Sequence, residues 1–200
     1  KNCIQWIEHP SMDATSALMN HDGVATILAT GGNAMVKAAY SCGKPALGVG
    51  AGNVPAYMEK TCNLRQAIND IVMSKSFDNG MICASEQAIV ALASVYDDIK
   101  AEFERRGCVF LSEKDRKKLK DVIFIDGKLN AGIVGQPAYK IAEMAGIKVP
   151  VETKVLIAES DKICDENPFA HEKLSPVLGF FKAKTFEDAV KMAQELIVLG

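Results

Sequence analysis

Apolar positions along the chain alternate between short β-branched runs and stretches with helical spacing, and this predicts a succession of strands and helices. Ser11 is placed to cap a short helix whose apolar edge is Leu18 and Met19, and the chain turns at His21-Asp22-Gly23. Val24-Ala25-Thr26-Ile27-Leu28-Ala29-Thr30 predicts a strand covered on both faces, as in a parallel sheet. Gly31-Gly32 ends it. A helical pattern follows from Asn33 through Met35, Val36, Ala38 and Ala39, and Gly43-Lys44-Pro45 supplies the stop. Ala46-Leu47-Gly48-Val49-Gly50 reads as the next strand, so strand, glycine turn, helix and strand make one βαβ unit, which joins parallel strands.

The rhythm continues downstream. Leu64, Ala67, Ile68, Ile71 and Val72 predict a helix to about Lys75, which delivers the chain into the irregular stretch Phe77-Asp78-Asn79-Gly80. Gln87 to Leu92 is strand-like, Tyr96 to Arg106 is a charged helix closed by Gly107, and Cys108 to Leu111 is a short strand. The basic helix Glu113 to Val122 reads as a solvated face. Pro137 to Ala145 is a helix with proline in its first turn, closed by Gly146. Strands at Lys154 to Ala158 and Val177 to Phe181 and a final amphipathic helix, Phe186 to Leu199, complete an α/β pattern. The abrupt start at Lys1 and the apolar finish at Val198-Leu199-Gly200 lead us to expect a piece of a longer chain.

Composition narrows the function classes. With 23 basic and 25 acidic residues the net charge is −2, which creates no field to collect nucleic acid or an anionic membrane. The longest apolar runs are strand-length, and a signal pattern is absent from the first residues, so a cytoplasmic protein is expected. The 6 cysteines, at 3, 42, 62, 83, 108 and 164, lie too far apart for a C-x-x-C redox pair or zinc site. Each is by default a small buried hydrophobe.

Two places can carry chemistry. Thr30-Gly31-Gly32-Asn33 presents bare backbone N–H groups at a helix N-terminus, where phosphate is favoured; a purely structural βα turn is the alternative. Gly48-Val49-Gly50-Ala51-Gly52 resembles the start of a dinucleotide fingerprint, but Val54-Pro55-Ala56-Tyr57 does not open a helix and the fingerprint fails. The second place is Cys83, in a loop between a predicted helix and strand, where reactive side chains are displayed. A thiolate attacks a carbonyl carbon without an adjacent base. His9, His21 and His171 are scattered, so a cysteine-protease arrangement has no specific support.

Several segments carry a family resemblance: Ala29-Thr30-Gly31-Gly32, Gly43 to Asn53, Phe77 to Gln87, Asn130 to Glu143, and Ala170-His171-Glu172-Lys173-Leu174-Ser175-Pro176. Together they resemble the CoA-acylating aldehyde dehydrogenase half of the bifunctional aldehyde–alcohol dehydrogenases. The resemblance implies an aldehyde dehydrogenase-like α/β fold: a partial, parallel Rossmann-like sheet over 1–76, the later part of an NAD-binding domain, then an α/β catalytic domain over 77–200, itself truncated. It implies that Cys83 is the nucleophile, that backbone at Gly31, Gly32 and Gly50 lies against NAD, and that Glu172 holds the nicotinamide ribose. The co-substrate is CoA and the substrate a short aldehyde. An upstream asparagine that donates to the oxyanion and a histidine just past residue 200 would lie outside this chain. So would the alcohol dehydrogenase half, with its iron. A homo-oligomer or helical filament is implied for the parent.

One departure from the hydrolytic aldehyde dehydrogenases bears on the acyl acceptor. With a one-residue gap, Gly48 aligns with the glutamate that activates water in those enzymes. Water needs a general base more than a CoA thiol does, so its loss favours thiolysis. Two alternatives stand beside this reading: a catalytically incomplete fragment that serves folding or assembly, and a hydrolytic aldehyde or semialdehyde dehydrogenase.

Overall fold

The structure, a computed structural model, describes residues 3–200; the start of the chain at Lys1 and Asn2 lies outside the described residues. The chain divides into two compact units, one ending at Ala51 and one running from Gly52 to Gly200.

The first unit begins with helix α1 (Met12–Asn20), capped by Ser11, whose side chain accepts the Ala14 N–H at 3.0 Å. Strand β1 (Ile27–Thr30), helix α2 (Asn33–Ser41) and strand β2 (Ala46–Val49) follow as the expected βαβ unit, with Ile27 paired parallel to Ala46. Gly43, at φ +78°, provides the left-handed turn that ends α2's path. The expectation of a strand covered on both faces is corrected here. Ile27 and Ala29 are buried with Ala39 of α2, while Leu28, between them, is 76% exposed and Leu47 of β2 is 65% exposed. A sheet of only these strands has one helix-covered face and one open face.

The second unit is a parallel sheet with helices on both sides. Its strands are β3 (Pro55–Met58), β4 (Ala88–Leu92), β5 (Cys108–Phe110), β8 (Val155–Glu159) and β9 (Val177–Ala183), in the spatial order β3-β4-β9-β8-β5. A small antiparallel hairpin, β6 (Phe124–Ile125) and β7 (Lys128–Leu129), lies apart from it. The central strands β4, β8 and β9 are buried almost throughout because both faces are covered, as their continuous apolar runs require. Helices α3 (Leu64–Ser76) and α4 (Tyr96–Arg105) pack Ile68, Ile71, Val72, Ile99 and Phe103 onto Ile89, Ile157, Leu178 and Phe180. The Phe103 and Phe110 rings meet Phe180 edge-on at 6.3 and 5.2 Å, and burying a ring of this size stabilises by about 1.5–3 kcal/mol. On the other face, α5 (Glu113–Ile123) and α6 (Ala138–Met144) cover Leu156, Ala158 and Val177, and α7 (Phe186–Val198) covers Ala88, Val90 and Phe181.

Two elements differ from expectation. β3 forms in the stretch read only as not opening a helix: Pro55 is the first residue of an edge strand, where its missing N–H leaves no ladder bond unmade. By contact, β3 and α3 also belong to the unit that follows Gly52, although both precede residue 77.

Candidate active site

In the first unit, Gly31, Gly32 and Gly50 come together at the ends of β1 and β2. Gly31 N–H donates to Val49 O at 3.1 Å. α2 starts at Gly32 with no side-chain cap, so its first N–H groups are bare, the condition that favours an anion. A Cβ at Gly31 or Gly50 would lie 2.8 Å from Met35 Sδ and 2.6 Å from Asn33 Oδ1, respectively, so that side chain would have to move. At Gly32 a Cβ would meet nothing within 4 Å, so the backbone there is open to approach. Met35 also lines an apolar groove of about 350 Å³ that runs between α1 and α2 along Met12, Thr15, Met19, Ala38 and Cys42. Bare N–H groups beside an apolar groove suit a ligand with a phosphate and a flat ring.

Gly48 sits two residues before Gly50, within β2. A Cβ there would be 2.5 Å from Val36 Cγ1 and 2.8 Å from Tyr40 Cε2, and Tyr40 OH accepts the Gly48 N–H at 2.8 Å. A carboxylate at this position would have to displace the side chains of Val36 and Tyr40.

In the second unit, three chain segments that lead into neighbouring strands meet at the amino ends of β3, β4 and β9. Sequence-distant residues converge because the sheet sets these strands side by side: Ala88 pairs with Gly179, and Pro55 with Ala88. Cys83 lies in the lead-in to β4, in a turn after α3. It is exposed, unlike Cys108, which burial pushes up to about 12 and which is inert as a nucleophile at neutral pH. The turn is unusual: Asp78 (φ 48°), Asn79 (φ 51°) and Gly80 (φ +70°) are all left-handed. Asp and Asn tolerate this better than other side-chain-bearing residues, at a cost on the order of 1 kcal/mol each. The cost is offset by docking. Asn79 Nδ2 donates to Gly135 O at 2.9 Å, and Gly135 N–H donates to Leu174 O at 3.3 Å. Leu174 is itself left-handed, at φ 43°. Phe77, Met81 and Ile82, on the same stretch of chain as Cys83, are all at least 40% exposed.

Glu172 lies in the lead-in to β9. Burial raises its carboxyl above the ordinary range, opposed by the Gly52 N–H that hydrogen-bonds it and by Lys75 and Lys173. Its Oε1 is buried with no partner. The surrounding network was not anticipated from sequence. Lys75 and Lys173 are both fully buried. Gln87 Oε1 accepts from Lys75 Nζ and from the Lys173 N–H, each at 3.0 Å. Lys173 Nζ donates to Phe169 O at 3.1 Å and to His171 O. Burial lowers Lys75 to about 7, against the raising influence of Glu86 and Glu172, and holds Lys173 well below the ordinary lysine range. The signal for Lys75 was present: it falls on the apolar stripe of α3, after Ile68, Ile71 and Val72, where a cation is out of place. Asn53, before β3, was also missed; its Nδ2 ties Ala170 O at 2.5 Å to Leu196 O at 2.7 Å.

The structure thus brings Gly31, Gly32 and Gly50 together in one unit, and the Cys83 and Glu172 segments together in the other.

The model of the aldehyde dehydrogenase family matches residues 1–107. The aldehyde-alcohol dehydrogenase of Streptococcus pneumoniae serotype 4 is 56% identical over 206 residues, covering 98% of this chain and 23% of that protein. The chain belongs to the aldehyde dehydrogenase family. The expected resemblance and fold class are borne out. A crystal structure of an acetylating aldehyde dehydrogenase from Geobacillus thermoglucosidasius matches with a TM-score of 0.93 and 48% identity, covering 96% of this chain and 42% of that one. Propionaldehyde dehydrogenase of Rhodopseudomonas palustris, solved with bound CoA and an acylated cysteine, matches with a TM-score of 0.87 and 33% identity over 95% of this chain and 43% of that one. The chain spans about a quarter of the length of the curated relative and less than half of these solved family members. Among the described residues, no helix is long and apolar enough to cross a membrane.

Proposed function

We propose that this chain is part of a nicotinamide-dependent, CoA-acylating aldehyde dehydrogenase that interconverts a short aldehyde such as acetaldehyde, CoA and NAD with acetyl-CoA and NADH. The observation that carries the reading is the exposed Cys83 turn, docked against the segment of Glu172. In the proposed reaction the Cys83 thiolate adds to the aldehyde carbonyl carbon. Cys83 keeps the acyl group as a thioester once the carbonyl hydrogen has departed as hydride, and gives it up to the CoA thiol. The cofactor, when bound, supplies the hydride acceptor. The residues present fit it: the bare α2 N-terminus at Gly31 and Gly32 would take its phosphates, Gly50 permits close backbone approach, and Glu172 would hold the nicotinamide ribose. On this reading residues 1–76 supply the later part of the NAD-binding domain and 77–200 the catalytic domain, in a cytoplasmic parent that assembles as a homo-oligomer or helical filament. An alcohol dehydrogenase half with iron belongs to the same proposal for the parent.

Gly48 argues against the hydrolytic alternative, since it carries no water-activating carboxylate and the side chains of Val36 and Tyr40 crowd the place of one. A second reading applies to the 200 residues taken alone. Spanning only 42% of a solved acetylating relative, they would act as a folding or assembly module. Acetyl-CoA-dependent NADH oxidation, measured on this segment and on the parent, separates the two. Loss of that activity in Cys83→Ala of the parent is the expected result, and retained turnover would sink the mechanism.

A further inference from the structure

The loop 80–87, with Cys83 inside it, stands on two feet. At the first, Gly80 is wedged between backbone carbonyls: a Cβ there would lie 2.7 Å from Ser175 O and 2.9 Å from Lys75 O. At the second, Gln87 Oε1 accepts from Lys75 Nζ and from the Lys173 N–H. Both feet rest on the same two pieces of chain, the last turn of α3 and the segment 173–175 that follows Glu172. Lys75 is common to both, since its carbonyl backs Gly80 and its ammonium holds Gln87. As a packing element it is a poor choice. It occupies a core position of α3 at 0% exposure, where an apolar side chain would fill the space without desolvating an amine. Glu86 Oε2 and Glu172 Oε1 are buried near it without hydrogen-bond partners, so the cation sits where two carboxylates need one.

We propose that Lys75 is a positioning residue for acyl transfer: acting through Gln87, it fixes the Cys83 loop against the segment that carries Glu172. This rests on the assignment of Cys83 as nucleophile and Glu172 as cofactor ligand. Lys75 touches neither the thiol nor the aldehyde. It sets where the thiol stands relative to the carboxylate, and a misplacement on the order of 1 Å at a reacting centre costs about 10²-fold in rate.

The test uses the parent protein with Lys75→Met and Gln87→Leu, alone and combined. Each single variant is expected to lower kcat for CoA-dependent aldehyde oxidation about tenfold or more while KM for CoA stays within about twofold. The double variant is expected to be no slower than the worse single one, because two residues in one linkage are not additive. Gln87→Glu keeps an acceptor of the same length and is expected to recover the rate to within about threefold of the unsubstituted protein. Multiplicative losses in the double variant, or an unchanged kcat in Lys75→Met, overturn the proposal. Hydrogen exchange on the unsubstituted protein reads the linkage even where a variant fails to fold. The amides of Gln87, bonded to Val54 O, and of Lys173, bonded to Gln87 Oε1, are expected to exchange as slowly as those of β4, and fast exchange of either beside a protected β4 also overturns it. Iodoacetamide labelling of Cys83 keeps this proposal separate from the one beneath it. Turnover that survives Cys83→Ala removes the nucleophile assignment, whereas a labelling rate that Lys75→Met leaves unchanged removes the role of Lys75.

Discussion

Substituting Gly80 by alanine pushes a methyl group into space held by backbone on two sides. The Cβ would stand 2.7 Å from both the carbonyl carbon and oxygen of Ser175 and 2.9 Å from Lys75 O, and neither partner is a flexible side-chain end that could swing away. The residue is also left-handed, at φ +70°, which costs an L-residue about 1–2 kcal/mol. Forcing a methyl into a packed site costs about 1–3 kcal/mol more. The sum, about 2–5 kcal/mol, corresponds to a fall of about 4–20 °C in Tm for a domain of 150–250 residues. Gly146→Ala is the matched control. It shares the left-handed backbone, at φ +63°, but a Cβ there meets nothing within 4 Å, so only the conformational cost of about 1–2 kcal/mol applies. Thermal melting of the two variants, with iodoacetamide labelling of Cys83 in each, isolates the wedge. Gly80→Ala should melt lower and label Cys83 at a changed rate, whereas Gly146→Ala should label normally. Equal melting temperatures and equal labelling would refute the account of how the loop is held.

Gly48→Glu is expected to lower the melting temperature, because its Cβ meets Val36 at 2.5 Å, and to release no free acid without CoA; CoA-independent acid formation at the rate of thiolysis would contradict the packing argument. Lys75, faced by Glu86, Glu172 and Gln87 and beside the second buried amine Lys173, titrates at about 7 when folded against an ordinary 10.5. The unfolded chain therefore holds more protons across that window. The unfavourable contribution of this group is full below pH 7 and is lost as pH rises toward 10.5, at a slope of at most about 1.4 kcal/mol per pH unit. Urea unfolding at pH 7 and 9 should show higher stability at 9, with a smaller gain in Lys75→Met; identical gains would count against it. Glu172→Gln should weaken binding of the nicotinamide cofactor by calorimetric titration while Cys83 labels at its usual rate, and unchanged affinity would remove Glu172 from the cofactor site.

Much of the fold was legible because local signals agreed with the tertiary demand. Ser11, Asn63, Ser112 and Thr185 each cap the helix that follows, with their side chains accepting N–H groups of Ala14, Gln66, Asp115 and Asp188. β3 was not legible, since only its place at the sheet edge makes Pro55 harmless. The hairpin of β6 and β7 was legible in principle. Asp126 and Gly127, at φ 51° and 72°, form the Asp-Gly turn that favours tight hairpins, but the flanking runs are too short to stand out. β1 was read as covered on both faces because a continuous apolar run does not say what lies above it. In the candidate site, Cys83 is proposed on its motif rather than on any property of its neighbours. Gln87 and Lys173 escaped because their meaning depends on which strands are adjacent, and β4 beside β9 is a fact of topology; Lys75 was legible only as a cation on the apolar stripe of α3.

The open face of the β1–β2 pair has a practical consequence. Leu28, Leu47 and Val49 present side chains that are 76%, 65% and 52% exposed on a flat ribbon whose strand edges also offer unpaired hydrogen-bonding groups. A solution of these 200 residues will tend to self-associate through that ribbon. Particle sizes measured on the isolated segment would then report stickiness rather than the quaternary structure of the parent. Charged substitutions at Leu28 and Leu47, chosen because both point away from α2, would restore a monodisperse sample without touching the glycine turn or the thiol.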